Sequence, residues 1–128
     1  MLVRPFLAAA LLLLGACTRQ DARLQQHQEK FASFGATTET IGHAWLDGSL
    51  SGTYTRTALS ETLRLVEQER AALAAKPQML LDPRGAALSQ QAEKLSRVIA
   101  QLTGDVQAAN AVAARGHLAD IPIKPGQP

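Results

Sequence analysis

The sequence is poor in the residues that usually carry chemistry or cross-links. Its 128 residues include one cysteine, one tryptophan, one tyrosine and three phenylalanines. A single cysteine excludes an internal disulfide framework and a zinc site built from four cysteines. The 13 basic and 11 acidic side chains leave a formal charge of +2, which is too small and too evenly spread to indicate a nucleic-acid binder. Glycine-rich nucleotide-binding motifs are absent as well.

Alanine and leucine are abundant and carry most of the hydrophobic fraction of 46%. They are the strongest helix formers, and β-branched residues other than threonine are few. The length suits a single domain and leaves little room for a second. We therefore predict an all-α protein with one folded domain.

The N-terminal segment has the three parts of a secretory signal. Arg4 supplies the positive charge, residues 6–14 are continuously apolar, and the small residues Gly15 and Ala16 follow. The apolar stretch is too short to cross a bilayer core, which needs ~20 helical residues. An ordinary signal peptidase favours small residues at the first and third positions before the cut, and Leu14 at the third fits poorly. The segment therefore predicts export, but with a cleavage sequence that differs from the one an ordinary signal peptidase recognises.

The residues Leu14-Gly15-Ala16-Cys17 resemble the lipobox of bacterial lipoproteins, an aliphatic residue and two small residues before a cysteine. The resemblance implies that residues 1–16 are removed and that Cys17 becomes an N-terminus carrying diacylglycerol and, usually, a further acyl chain such as palmitate. Two or more acyl chains make stable membrane anchoring credible. Thr18 stands where enteric lipoproteins kept in the inner membrane have aspartate, so the resemblance implies the outer membrane, facing the periplasm. The alternative is a stray or buried cysteine in a plain signal peptide.

The first amphipathic segment spans residues 20–47. Its apolar residues recur at steps of three and four, which describes one helix face, and His27 lies on the same face. Gly48 follows the segment, where glycine adopts a left-handed conformation without steric cost. Gly35 and Gly42 lie inside it, and each costs ~1 kcal/mol relative to alanine, so a break near Gly35 stays open. The apolar positions are Leu24, Phe31, Phe34, Ile41 and Trp45.

Two further helices complete the predicted domain. The second begins after a cap at Thr53 or Thr55 and ends before Pro77, because the residue before proline is disfavoured in a helix. The third begins at Asp82-Pro83, an N-cap followed by proline in the first turn, and ends at Gly116. The apolar positions are Leu59, Leu63, Val66 and Leu73 in the second helix, and Leu88, Leu95, Ile99, Leu102, Val106, Ala109 and Val112 in the third.

These segments predict an antiparallel up-down-up three-helix bundle, because each helix leaves an apolar stripe that the others can cover. The predicted bundle occupies residues 17–116, after the signal peptide at residues 1–16. Residues 117–128 contain three prolines and are predicted to form an extended tail. An open alternative is a homo-oligomer in which the third helices pair as a coiled coil. The residues of that seam would be Leu88, Leu95, Leu102 and Ala109.

The polar residues offer one candidate metal site and no catalytic motif. Gly48-Ser-Leu-Ser-Gly52 lacks the central serine of a nucleophile elbow and is interpreted as a turn. Glu39, His43 and Asp47 follow one another at steps of four, and their carboxylate and imidazole groups could bind zinc or copper. They lie beside the apolar stripe, where exposure to solvent is expected, so a solvated polar face is the favoured interpretation. A small ligand- or metal-binding envelope sensor is the alternative function.

Four apolar residues concentrate around the first predicted turn: Trp45, Leu46, Leu50 and Tyr54. Bundle geometry puts this turn at the end away from the lipid. Amphipathic aromatics at an exposed end are common anchors for a protein partner, but the favoured interpretation is that they hold the hairpin together. With no catalytic motif, and no cofactor beyond the acyl lipid on Cys17, the sequence predicts a non-enzymatic scaffold or accessory subunit of an envelope assembly.

Overall fold

The computed structural model describes the backbone of residues 4–123 and the side chains of residues 19–123. Within this part the chain forms five α-helices and no strand, which confirms the all-α prediction. The predicted number of three helices is wrong. The helices are α1 (Arg4–Leu46), α2 (Gly52–Ala74), α3 (Pro77–Leu81), α4 (Pro83–Gln107) and α5 (Ala111–Ala119).

Helix α1 is continuous through Gly35 and Gly42, so the break left open near Gly35 does not occur. Its start at Arg4 also differs from the predicted start at residue 20. At its C-terminal end Gly48 adopts a φ of +84°, the left-handed conformation expected there. The predicted lipobox at residues 14–17 and the predicted acylation of Cys17 lie outside the residues whose side chains the structure describes.

Helix α2 is capped by Ser51 and not by Thr53 or Thr55. The Ser51 hydroxyl accepts a hydrogen bond from the Tyr54 amide at 3.2 Å. Thr55 instead turns its hydroxyl back to the Ser51 carbonyl at 2.7 Å and is buried. The cap lies earlier than predicted because the turn after α1 is short, so the chain enters α2 at Gly52.

The predicted N-cap of the next long helix is confirmed. Asp82 precedes Pro83 and accepts a hydrogen bond from the Arg84 amide at 2.9 Å. The five-residue helix α3 was not predicted, and it occupies the link between α2 and α4. Its Met79 is buried, and Gly85 provides the space for the Met79 carbonyl to pack against the first turn of α4.

The predicted third helix is in fact two helices, and its predicted end at Gly116 is wrong. Helix α4 ends at Gln107, Ala109 adopts a φ of +54°, and Asn110 caps α5 by accepting from the Ala113 amide at 3.1 Å. Gly116 lies inside α5. After this break Val112 is 79% exposed, although the stripe predicted its burial.

The predicted extended tail from residue 117 is also corrected. Residues 117–119 belong to α5, and Ile121 and Ile123 are buried. A Cβ atom placed on Gly35 would lie 2.5 Å from the Ile123 carbonyl oxygen, and one on Gly42 would lie 2.6 Å from Cδ2 of Leu118. The two glycines of α1 therefore form the surface on which α5 and the following residues pack, so their helical cost is offset by tertiary contact.

The core lies mainly between α2 and α4, with α1 packed across them. Helix α2 runs back along α1, since the chain turns at Gly48 and Glu69, near the C-terminal end of α2, contacts His27 of α1. The leucines of the proposed coiled-coil seam, Leu88, Leu95 and Leu102, are buried within this chain's own core. The largest fully buried side chains are Phe31, Leu59, Leu73, Leu95, Ile99, Leu102 and Val66.

Candidate functional site

The structure divides the four apolar residues predicted around the first turn into two kinds. Trp45 and Leu46 are half-buried and pack against the hydrophobic core, and Leu50 is half-buried as well. Tyr54 is 62% exposed at the start of α2. Trp45 and Leu46 therefore contribute to the core, while the Tyr54 ring is exposed to solvent.

A second exposed apolar side chain lies in the first turn of another helix at this end. Val112 follows the break between α4 and α5 and is 79% exposed. The end of α4 is adjacent to the start of α2, because the Val106 side chain is next to Gly52. Exposed Tyr54 and Val112 thus lie in the first turns of α2 and α5, at the end of the domain that carries the α1–α2 turn. We call this end the distal end.

Glu39, His43 and Asp47 do line one groove, as their spacing suggested. The groove also receives Arg115 from α5, with Leu46 and Leu118 as apolar lining. No three His, Cys, Asp or Glu side chains in the described part are grouped closely enough to hold a metal ion. The three side chains therefore share a groove without forming a metal site.

The Asp47 carboxylate has a local structural role. It accepts a hydrogen bond from the Ser49 amide at 2.9 Å, within the turn that follows α1. Hydrogen bonds from the Ser49 side chain and backbone hold the pKa of Asp47 below its usual value. This carboxylate stabilises the turn at the distal end.

A buried polar network that the sequence analysis did not predict joins α1 to α2. Nδ1 of His27 lies 2.5 Å from Oε1 of Glu69, and the two side chains are 7% and 11% exposed. Nζ of Lys76 lies 3.3 Å from Nε2 of the same ring, and Nζ of Lys30 lies 3.4 Å from Oε2 of Glu69. The helical stripe indicated that His27 faces inward, but its partner is 42 residues away.

The donors of this network can be assigned from its geometry. An ammonium group only donates hydrogen bonds, so Nε2 of His27 accepts from Lys76 and Nδ1–H donates to Glu69. Every polar atom of the pair then has a partner, and no buried side-chain nitrogen or oxygen in the described part lacks one. Burial on this scale shields the pair from a substrate, so the network connects helices and does not form an accessible catalytic dyad.

A similar pair joins α4 to α5. Nδ1 of His117 lies 2.5 Å from Oδ2 of Asp105, with the histidine partly exposed. This contact fixes α5 against α4 after the break at residues 108–110. His117 therefore lies in a helix that packs on α4 and not in the predicted tail.

None of the described helices contains an apolar stretch of the length that spanning a membrane requires. Comparison of the chain with protein-family models, with curated proteins and with solved structures finds no match in any of the three. The function must therefore be argued from the residues of this chain.

Proposed function

We propose that this chain is a lipid-anchored protein of the bacterial cell envelope, held in the outer membrane and facing the periplasm, and that it acts as a non-enzymatic adaptor or scaffold. The observation that carries the proposal is the lipobox-like Leu14–Cys17 directly after an apolar segment of signal-peptide type. An acylated Cys17 would be the N-terminus of the mature chain, with the helical domain directly behind it.

The geometry of α1 supports this proposal. The helix runs without a break to Leu46, so its length from residue 17 to residue 46 is about 45 Å at 1.5 Å per residue. An anchor on Cys17 would hold the distal end about that far from the membrane surface. The exposed Tyr54 would then be presented to a partner in the periplasm, where an aromatic anchor contributes most to binding.

Mass spectrometry of the protein purified from a bacterial envelope tests the anchor. The expected product begins at Cys17 and carries a diacylglycerol and a further acyl chain. The Cys17→Ser variant should accumulate as an unprocessed precursor. A wild-type chain that begins elsewhere, or that lacks acyl mass, would refute the anchor.

Photo-crosslinking in living cells tests the adaptor role. A crosslinking residue at Tyr54 or Leu50 should give one discrete heterologous adduct. The matched control is Ser60, which is exposed on α2 away from the turn and should give none. Self-adducts, or equal adducts at Ser60, would contradict a partner surface at the distal end.

A further inference from the structure

The opposite end of the domain contains a basic groove that the proposed function does not use. It encloses about 380 Å³ between the start of the described α1 side chains and the link from α2 to α3. Its lining contains three cationic side chains and no carboxylate. We call it the basal groove, and its lining residues are Arg19, Gln20, Arg23, Lys76, Gln78 and Met79.

The charges around the groove leave two of its arginines free to bind an anion. Arg19 and Arg23 are exposed and have no ion-pair partner among the described residues. The nearby Asp21 is already paired with Arg84, at 2.6 Å. Asp82 is likewise engaged by Arg84, at 2.8 Å, so these carboxylates do not neutralise the groove.

We infer that the basal groove binds the phosphodiester headgroup of an anionic phospholipid in the membrane that anchors the chain. Arg19 and Arg23 would contact the phosphate oxygens, for which the guanidinium group provides paired donors. Gln20 and Gln78 on the same wall supply polar groups for the glycerol part of the headgroup. Lys76, which donates to His27, adds positive charge to the groove wall.

The position of the groove supports a membrane ligand, and here the inference rests on the proposed function. Arg19 is two residues beyond Cys17, so an acylated Cys17 would bring the groove to the headgroup layer. Leu81, at the end of α3, is 84% exposed. Leu81 belongs to the same short helix as Gln78 and Met79 of the groove wall, and an exposed apolar side chain together with cationic ones favours binding at a lipid interface.

The test uses the full chain purified in neutral detergent, with phosphatidylglycerol or phosphatidylcholine added to the micelles at equal mole fraction. Binding to the folded state raises the thermal midpoint, which we would follow by circular dichroism. Phosphatidylglycerol should raise the midpoint and phosphatidylcholine should not. Inorganic phosphate alone is titrated in parallel.

The Arg19→Gln/Arg23→Gln variant should bind phosphatidylglycerol about 25-fold more weakly, since each basic residue near an anionic surface contributes about fivefold in affinity. Its midpoint without lipid should equal that of the wild type, because both side chains are exposed. The matched control, Arg64→Gln/Arg97→Gln, removes two exposed arginines elsewhere and should bind within about twofold of the wild type.

Three results would overturn the inference. The first is a rise in the thermal midpoint with phosphatidylcholine that equals the rise with phosphatidylglycerol. The second is a loss of phosphatidylglycerol affinity in the control variant that equals the loss in Arg19→Gln/Arg23→Gln. The third is a response to inorganic phosphate at the same concentration as phosphatidylglycerol, which would identify a free phosphate as the ligand. The micelle assay does not depend on acylation, so the two proposals can fail separately. A chain whose Cys17 proves unacylated but whose midpoint rises with phosphatidylglycerol would refute the lipid anchor and still support lipid binding in the basal groove.

Discussion

The buried His27–Glu69 pair leads to a specific prediction about stability. Replacing His27 with leucine removes the hydrogen bond to Oε1 of Glu69, and the carboxylate, whose side chain is 11% exposed, keeps only Lys30 at 3.4 Å. A hydrogen bond to a charged group contributes about 1.5–3 kcal/mol. Leaving a buried donor or acceptor without its partner costs about 1–3 kcal/mol, and more when the group that remains is charged.

We therefore expect His27→Leu to lower the free energy of unfolding by about 2–3 kcal/mol. The double variant His27→Leu/Glu69→Leu should recover to within about 1 kcal/mol of the wild type, since replacing both partners of a buried hydrogen bond with apolar groups can be nearly neutral. The measurement is urea unfolding followed by circular dichroism. The slope of the unfolding free energy against urea concentration should be the same in the variants and the wild type. The control is Arg64→Ala, which breaks an ion pair to Glu61 whose side chains are 56% and 57% exposed and should cost below about 1 kcal/mol.

Two outcomes would refute this reasoning. One is a cost for His27→Leu as small as that of Arg64→Ala, which would mean that the pair is solvated in solution. The other is a double variant whose loss equals the sum of the two single losses. That result would show that the two side chains stabilise the fold independently.

Three further predictions concern the glycines, the helix cap and the distal end. Gly35→Ala should lower the free energy of unfolding by about 1–2 kcal/mol, because overpacking against the Ile123 carbonyl exceeds the gain in helix propensity. Gly104→Ala, which has open space inside α4, should raise it by about 0.5–1 kcal/mol, and equal signs for the two would contradict the packing argument. Hydrogen bonds from the Arg84 side chain and amide lower the pKa of Asp82 in the folded state. The ionised Asp82 carboxylate therefore stabilises the fold fully above its ordinary pKa of 3.8, and this contribution is lost as the pH falls through the lowered pKa of the folded state. The free energy of unfolding of Asp82→Asn, which keeps a capping side chain but cannot ionise, should therefore depend less on pH in this acidic range. An unchanged slope would contradict the link between the lowered pKa of Asp82 and stability. Tyr54→Ala should reduce partner capture in cells while the helicity and the urea midpoint stay unchanged, and full capture would exclude Tyr54 as the anchor.

The local features of this protein could be predicted because neighbouring residues carry them. The alanine- and leucine-rich composition determines the helical class, and Asp82-Pro83 determines where α4 begins, since the cap needs only the adjacent amides. The stripes of the first two helices also identified Phe31, Leu59 and Val66, all of which are buried. These features depend on contacts within one or two helical turns.

The tertiary structure alone decided the features that depend on residues far apart in the chain. Gly35 would favour a break in an isolated helix, yet α1 continues through it because Ile123 packs there. His27 gains its partner from another helix, and Arg19 and Arg23 share a groove with Lys76. Helical spacing predicts which face of its helix a side chain occupies. It does not predict which distant residue the side chain contacts, because those contacts depend on how the helices pack against each other.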